Sequence, residues 1–335
     1  MPVSRLARCP VVCMAYKGTK QNHQGRASGT SGKTRYFERS ENQRSKRDFR
    51  SMDDGPKSPT KTLLDDWKGD VVYGTSPVLA ALDSNRRRMH ALYVQEGIED
   101  SKKKEVSNIR QALAKAKALK IPLVTVSKHD MNMVTNNRPH QGIVLDASPL
   151  LCEKMDKFPP LDSVSPTDRH PLWLCLDEIT DPQNLGAVIR SAYFLGASGV
   201  LMCSKNSAPL SGVVSKASAG ALEKMTIYSC RSLPTTLNDA RSKGWAVIGA
   251  CADEESIPCE EYELKDPTIL VMGSEGYGLR TTVRRACSAG IRVSRAFVKE
   301  HDAQKGSLHE VDSLNVSVAT GILLHSLLQK CRTLS

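Results

Sequence analysis

The chain has 335 residues, enough for two domains with separate hydrophobic cores, and carries a net charge of +11. Hydrophobic residues make up 40% of the sequence, and no apolar run approaches the roughly 20 residues that a membrane-spanning helix needs. The ten cysteines lack the paired CxxC spacing of a zinc site. We therefore expect reduced thiols, no bound metal and no membrane partner.

The first 66 residues form a basic leader. Residues 1–66 carry 14 Lys and Arg against 7 Asp and Glu, whereas the rest of the chain carries 33 against 29. Between Met1 and Phe37 there is no acidic residue. An Arg-rich, Ser-containing and acid-poor composition is typical of a mitochondrial transit peptide. We predict a disordered leader that directs the chain to the mitochondrial matrix, with a plain basic extension as the alternative.

Residues 70–150 alternate between predicted strands and helices. One helix begins at Pro77 and ends near Arg87, and a longer helix is predicted at 104–120. Strands are predicted at 90–95, 121–126 and 142–147. This alternation predicts a small α/β domain whose Lys and Arg residues either bind RNA or simply keep the helices in solution. The segment 151–169, rich in Pro, Ser and Asp, is predicted to be a linker.

Residues 170–335 predict a larger α/β domain. Leu172–Leu176 is a near-continuous apolar run, which is typical of a strand buried in a parallel sheet. Further strands are predicted at 199–203, 226–229, 245–249 and 268–272, with helices between them at 211–222 and 233–243. A repeated strand-helix order of this kind predicts a parallel sheet.

Three polar stretches interrupt the apolar pattern of this domain. They are Asn184-x-Gly186-x-x-x-Arg190, Gly273-x-Glu275-Gly276-x-Gly278 and Ser313-Leu314-Asn315. Each has an ordinary structural role available when taken alone. Asn315 could cap the apolar helix that follows it, and Arg190 could extend from a surface. The glycines around Glu275 could form a tight turn without a ligand.

Together, these stretches resemble the three ordered motifs of the SpoU family of S-adenosylmethionine-dependent RNA ribose 2′-O-methyltransferases. The resemblance covers roughly residues 70–332, and His140-Gln141-Gly142 is similar to the L30e-like substrate-binding domain of that family. It implies that the smaller domain binds the substrate. It also implies that the larger domain is a trefoil-knotted parallel α/β domain, an exception to the rule against threaded chains, and that the protein is a homodimer.

The resemblance implies roles for individual residues. S-adenosylmethionine would lie in the knot, against Gly273, Gly278, Val293 and Leu314. The target ribose and its phosphate would be contacted by Asn184 and Arg190, with Glu275, Ser313 and Asn315 completing the pocket. Methyl transfer from a sulfonium to an oxygen needs orientation and no metal. Because Arg binds phosphate through two parallel hydrogen bonds and is effectively never deprotonated, we interpret Arg190 as a positioning and charge-stabilising residue.

One segment departs from the family pattern. Between Val293 and Ser313 the chain is longer and more polar than the family implies, so the knot must accommodate an insertion beside an expected contact with the methyl donor. The leader and the Gly-Ile-Leu-Leu-His-Ser ending resemble the mitochondrial large-subunit rRNA members. The predicted function is 2′-O-methylation of a guanosine in mitochondrial large-subunit rRNA. A tRNA ribose methyltransferase of the same family and a non-catalytic RNA-binding assembly factor are the alternatives.

Overall fold

The structure, a computed structural model, describes residues 67–98, 105–161, 171–294 and 313–333. The predicted leader and residues 295–312 of the polar insertion lie outside these ranges. All the described residues belong to one compact unit. Within them, no helix combines the length and apolarity that crossing a membrane requires.

A four-stranded sheet is built by the N-terminal part of the described chain. Its strands are β1 (Asp70–Tyr73), β2 (Met89–Gln95), β3 (Leu123–Val126) and β4 (Ile143–Ala147). The order is β1-β4-β2-β3, with β4 antiparallel to β1 and β2, and β2 parallel to β3. The accompanying helices are α1 (Thr75–Ser84), α2 (Glu105–Ala118) and α3 (Lys128–Val134).

The helices of this sheet differ from the predictions at their ends. α1 begins at Thr75 instead of Pro77, and it ends before Asn85, whose left-handed φ of 50° breaks the helical repeat. α3 was not predicted, because its seven residues are too few for a clear apolar period. The hydroxyl oxygen of Ser127 fixes its start by accepting the backbone N–H of Asp130 at 3.1 Å.

An eight-stranded, wholly parallel sheet is built by the rest of the described chain. Its strands are β5 (Glu153–Lys154), β6 (Leu172–Leu176), β7 (Gly199–Cys203), β8 (Ile227–Cys230), β9 (Ala246–Ala250), β10 (Ile257–Pro258), β11 (Thr268–Met272) and β12 (Ala289–Arg292). Their spatial order is β10-β12-β9-β11-β6-β7-β8-β5. Every residue of β7 and β11 is buried, which explains why these runs contain no alternating polar positions.

Six helices in the described residues accompany this sheet. They are α4 (Pro182–Leu195), α5 (Gly212–Ala217), α6 (Ala221–Lys224), α7 (Leu233–Ser242), α8 (Thr281–Ala286) and α9 (Val316–Thr333). The prediction of one helix over 211–222 is wrong, because the chain turns at Gly220, whose φ is +87°. A Cβ there would lie 2.6 Å from the Cβ of Ala80 in α1. The glycine therefore allows α1 to pack closely against the turn between α5 and α6.

The first part of the predicted linker belongs to the larger sheet. β5 pairs with β8, and Phe158 is buried against Trp173 and Trp245, with ring centroids 5.2 and 5.3 Å away. The indole N–H of Trp245 donates to the carbonyl of Pro159 at 2.9 Å. A Pro- and Ser-rich composition does not reveal such long-range packing. The domain bounds predicted above, 70–150, 151–169 and 170–335, stay a prediction.

A buried ion pair joins the two sheets. Arg87, which follows α1, donates to Glu223 of α6 from Nε at 2.8 Å and from Nη2 at 3.0 Å. Its Nη1 donates to Asp70 at 3.1 Å and to the carbonyl of Ser148 at 2.9 Å. The hydroxyl of Ser215 donates to Glu223 at 2.8 Å. The side chains of Arg87 and Glu223 are fully buried, so these hydrogen-bond partners replace the water that each charged group loses on folding.

Candidate active site

The candidate site lies where β6 and β11 end. These strands are neighbours with Leu176 opposite Met272, so the loops that follow them leave the same edge of the sheet. A cleft of about 340 Å³ opens there, lined by residues from 178–184 and 274–277 and by Val316 at the start of α9. Ligands of open parallel sheets commonly bind at this kind of edge.

Three predicted site residues from distant parts of the chain meet at this cleft. Asn184 Nδ2 donates to Glu275 Oε1 at 2.8 Å, and Asn315 Nδ2 donates to Asn184 Oδ1 at 3.1 Å. Asn315 Nδ2 also donates to Glu275 Oε1, and the backbone N–H of Val316 reaches the same oxygen at 3.4 Å. One carboxylate oxygen therefore accepts three donors and fixes the orientation of both amides.

Asn315 is at the same time the N-cap of α9. Its Oδ1 accepts the backbone N–H of Ser317 at 2.9 Å, and its carbonyl accepts the N–H of Ala319 at 3.0 Å. The side-chain oxygen therefore stabilises the helix while the nitrogen belongs to the cluster. Its neighbours Ser313 and Leu314 are exposed beside it.

Asn184 is held in place by the N-terminus of α4. The carboxylate of Asp181 caps this helix, accepting the N–H groups of Gln183 at 3.2 Å and Asn184 at 3.0 Å. Gly186, two residues further on, is required by helix packing. A Cβ at that position would lie 2.4 Å from the Cβ of Ala217, so the glycine permits α4 to lie close to α5.

Glu275 is carried by a short hairpin that follows β11. Ser274 and Gly278 exchange two backbone hydrogen bonds of 3.0 Å. A Cβ at Gly273 would lie 2.2 Å from the carbonyl carbon of Gly278, and Gly278 itself has a φ of +64°. Two of the glycines in this motif are therefore required by the turn, independently of any ligand.

The base of this hairpin is held by two residues that the sequence patterns did not single out. The backbone N–H of Asp177 donates to the carbonyl of Met272 at 2.8 Å, where the hairpin begins. Its buried carboxylate accepts the backbone N–H of Arg280 at 3.1 Å and Arg280 Nε at 2.8 Å, where the hairpin ends. The hydrogen bond from Arg280 to Asp177 also raises the pKa of Arg280. The sequence did carry one signal for this role, because Asp177 is an acidic residue directly after the buried strand β6.

Glu178 lines the cleft in a strained backbone conformation. Its φ is +60°, a region that non-glycine residues adopt infrequently. Its carboxylate accepts Asn206 Nδ2 at 3.0 Å and lies 3.3 Å from Arg280 Nη1. Such strain is concentrated at functional sites, which makes Glu178 a further candidate residue that the sequence did not reveal.

The structure does not bring Arg190 into the cluster. Arg190 lies six residues after Asn184 in α4, about 9 Å further along the axis and away from the i+3, i+4 and i+7 positions that share a face. Its side chain is exposed, and it makes no hydrogen bond or ion pair with the residues that the structure describes.

The residues expected to bind the cofactor lie around the same edge of the sheet. β9 separates β11 from β12, so Gly273 and Val293, which follow those strands, are about two strand spacings or 10 Å apart. Val293 is half-buried against the core, and Leu314 is 48% exposed beside α9. Apolar side chains beside a glycine backbone suit an adenine ring, so these residues fit S-adenosylmethionine. Within the described ranges, no cluster of His, Cys, Asp or Glu could hold a metal.

The His140-Gln141-Gly142 motif lies at the junction of the two sheets, away from the cleft lining. Gln141 Oε1 accepts Lys216 Nζ of α5 at 2.6 Å and the backbone N–H of Thr75 at 3.2 Å. His140 Nδ1 accepts the N–H of Gly142 at 3.0 Å. Burial lowers the pKa of His140, and the positive charges of two nearby lysines lower it further.

Two family models match the chain. Residues 171–325 match the SpoU rRNA Methylase family, and residues 71–151 match the family described as RNA 2′-O ribose methyltransferase substrate binding. The two matches follow the larger and the smaller sheet respectively.

Curated relatives carry related names. The chain is 39% identical over 287 residues to the protein named rRNA methyltransferase 1, mitochondrial, of Schizosaccharomyces pombe, covering 77% of this chain and 89% of that protein. The protein of the same name from Dictyostelium discoideum is 36% identical over 252 residues, which span 68% of this chain and 45% of that protein. The 23S rRNA (guanosine-2′-O-)-methyltransferase of Shewanella oneidensis is 32% identical, covering 79% of this chain and 99% of that protein.

Solved structures share the fold. The AdoMet-bound rRNA methyltransferase of Sinorhizobium meliloti superposes with a TM-score of 0.57 at 24% identity, covering 79% of this chain and 88% of that one. The predicted class, a parallel α/β domain preceded by a small α/β domain, is thereby confirmed.

Proposed function

The chain belongs to the SpoU rRNA methylase family, and on that premise we propose that it methylates the ribose 2′-oxygen of a guanosine in mitochondrial large-subunit rRNA, using S-adenosylmethionine. The observation that carries the proposal is the Asn184–Glu275–Asn315 cluster at the cleft beside β6 and β11. The names of the relatives support both the guanosine and the mitochondrial substrate.

In this proposal the cluster orients the ribose. S-adenosylmethionine supplies an electrophilic methyl group, and the chain has to hold the 2′-oxygen in line with it. Glu275 Oε1 already accepts three donors, whereas Oε2 has no donor among the described residues and is available to a ribose hydroxyl. The amides of Asn184 and Asn315, fixed through Glu275, complete the pocket together with Ser313.

The methyl donor is proposed to contact Gly273, Gly278, Val293 and Leu314. The support is their common position around the edge formed by β11, β9 and β12 and their apolar or glycine character. The residues of 70–150 are proposed to bind the rRNA, with 151–169 connecting them to the catalytic domain. The basic leader 1–66 is proposed to direct the protein to the mitochondrial matrix, which the mitochondrial names of the relatives support.

The protein is further proposed to act as a homodimer through α4 and α9. These helices pack together, with Gly321 close to Ser191, and each keeps apolar side chains exposed beside that contact. The exposed set comprises Tyr193, Phe194, Val318 and Ile322, with Phe194 84% exposed. A second copy of the chain would cover this surface. Arg190 lies on the same side of α4 as Phe194. We therefore propose that Arg190 binds the RNA phosphate at the interface between the two copies.

Methyl transfer to unmodified transcripts tests the function. The full chain, S-adenosylmethionine and a transcript of mitochondrial large-subunit rRNA should yield 2′-O-methylguanosine in digested RNA. Glu275→Gln is the matched variant, and it should lose most activity because it removes the carboxylate from the cluster. Methylation of tRNA transcripts alone would support the tRNA enzyme. Absence of both transfer and S-adenosylmethionine binding by calorimetry would support an assembly factor.

The dimer is tested by sedimentation. Phe194→Glu should reduce the mass from dimer to monomer, because it places a charge in the proposed interface. Leu151→Glu, a substitution at an exposed leucine outside α4 and α9, should leave the mass unchanged. A wild-type monomer at micromolar concentration would contradict the proposal.

A further inference from the structure

The tip of the hairpin after β11 carries an aromatic side chain that the proposed function does not use. Tyr277 is 97% exposed, more than any other large apolar side chain among the described residues. It lines the same cleft as Asn184 and Glu275. A single exposed apolar residue is ordinary on a protein surface. An aromatic ring at the wall of a substrate cleft, however, is well placed to contact the substrate.

The position of Tyr277 is set by its backbone. The hairpin is closed by the paired Ser274 and Gly278, and the N–H of Tyr277 donates to the hydroxyl of Ser274 at 3.3 Å. Asp177 and Arg280 hold the two ends of the hairpin together. The ring is therefore presented at a defined place without being packed against the protein. The hairpin backbone is therefore already ordered before a ligand binds, and only the side-chain rotamers of Tyr277 remain to be fixed.

The charges of the cleft indicate which part of an RNA could bind there. Glu178, Asp181 and Glu275 line it, and no Lys or Arg among the described residues does. The carboxylates of this wall repel RNA phosphates, because both carry negative charge. A nucleobase is uncharged and stacks on aromatic side chains whatever its sequence.

We propose that Tyr277 stacks on the base of the nucleotide whose ribose is methylated. The inference rests on the proposed function, which brings a ribose to the Asn184–Glu275–Asn315 cluster. The base is covalently joined to that ribose, so it must lie at or near the wall of the cleft, and Tyr277 is the aromatic side chain there. The target nucleotide is then bound unpaired, with its base held by stacking and its ribose held by hydrogen bonds.

Substitutions at position 277 test the proposal, with unmodified mitochondrial large-subunit rRNA transcript as the probe. Tyr277→Ala should weaken RNA affinity and raise the KM for RNA by about 5- to 150-fold, which corresponds to the loss of one base–aromatic stack of about 1–3 kcal/mol. Tyr277→Phe should stay close to wild type, because it keeps the aromatic face. Tyr277→Leu, an apolar side chain without that face, should behave like Tyr277→Ala. Leu151→Ala is the exposed apolar control and should change nothing.

Two further readouts distinguish stacking on a base from a phosphate contact, a donor contact or a dimer contact. The slope of log affinity against log salt should be the same for wild type and Tyr277→Ala, because no phosphate contact is removed. Calorimetric affinity for S-adenosylmethionine and the sedimentation mass should also be unchanged. Wild-type RNA affinity in Tyr277→Ala, loss of donor affinity instead, or a change in mass would each overturn the proposal. If wild type binds RNA without methylating it, the proposed function fails, and the binding comparison still decides whether Tyr277 stacks.

Discussion

At the start of α9, the two atoms of one side-chain amide serve different neighbours. The oxygen of Asn315 accepts the backbone N–H of Ser317, and the nitrogen donates to Asn184 and Glu275. The sequence offered a helix cap and a pocket residue as alternative roles, and the geometry accommodates both. A substitution that keeps one of the two contacts can therefore separate helix stability from activity.

Asn315→Asp should lower activity far more than stability. A carboxylate still caps the helix, so the free energy of unfolding should change by less than about 1 kcal/mol. It cannot donate to Glu275, and it adds like charge, so kcat/KM for methyl transfer should fall at least about tenfold. Ser317→Ala, which removes the hydroxyl that donates to Asn315 but no cluster contact, should keep activity. Full activity in Asn315→Asp would contradict a role for the amide nitrogen.

His140 should make the protein less stable as the pH falls below 6.5. Burial lowers its pKa in the folded chain, so below pH 6.5 the unfolded chain takes up a proton that the folded chain does not. Protonation would also place an N–H on Nδ1, which accepts the N–H of Gly142. The free energy of unfolding should fall by up to about 1.4 kcal/mol per pH unit.

His140→Asn isolates this effect. Asparagine keeps a hydrogen-bond acceptor near Gly142 but does not titrate. Urea unfolding between pH 7 and 5 should show a shallower loss of stability in the variant than in wild type. Equal slopes would mean that other groups cause the pH dependence.

At the scale of single elements, the hairpin after β11 depends on Asp177. Asp177→Asn removes the charge that Arg280 faces, and because Arg280 is partly exposed we expect a loss of about 1–2 kcal/mol in stability. Hydrogen exchange of residues 273–279 should increase, and kcat should fall because Glu275 is held less firmly. Arg284→Gln, in α8, breaks a more exposed ion pair with Asp253 and is the control. Unchanged exchange in Asp177→Asn would contradict the proposed clamp.

The longer elements could be predicted from the sequence because their patterns are local. The apolar runs of β6, β7 and β11 were predicted with the bounds that the structure has. β5 and β10 have two residues each and exist only through pairing with distant strands, which no local pattern reports. The break between α5 and α6 depends on the close approach of α1 to Gly220.

For the site, too, the sequence predicted the residues within local motifs and missed those whose role depends on long-range contacts. Motif order indicated Asn184, Glu275 and Asn315, which the structure brings together. Asp177 and Arg280 were missed because their role is to connect the two ends of a loop, a relation that requires the sheet order. The motif also grouped Arg190 with Asn184, although helix geometry puts the two on different faces of α4.

At the scale of the whole molecule, the two sheets are joined by Arg87 and Glu223. Glu223→Gln leaves the buried guanidinium without its charge partner and should lower the free energy of unfolding by about 3–5 kcal/mol. Arg87→Met combined with Glu223→Leu should recover part of this loss, because no charge is then left buried. Urea unfolding followed by circular dichroism measures both. A loss in Glu223→Gln no larger than that from breaking a surface ion pair would show that the two sheets are held together by other contacts.

In the hairpin that presents Tyr277, the residues at the base are constrained by the fold, whereas the residue at the tip is not. Its base is tied to Asp177 and Gly273, whereas its tip touches nothing that the fold requires. If Tyr277 stacks on the target base as proposed, mutations at position 277 change RNA affinity at almost no cost in folding. A library of all side chains at this one position, selected for methylation of new RNAs, would be expected to yield mostly folded enzymes.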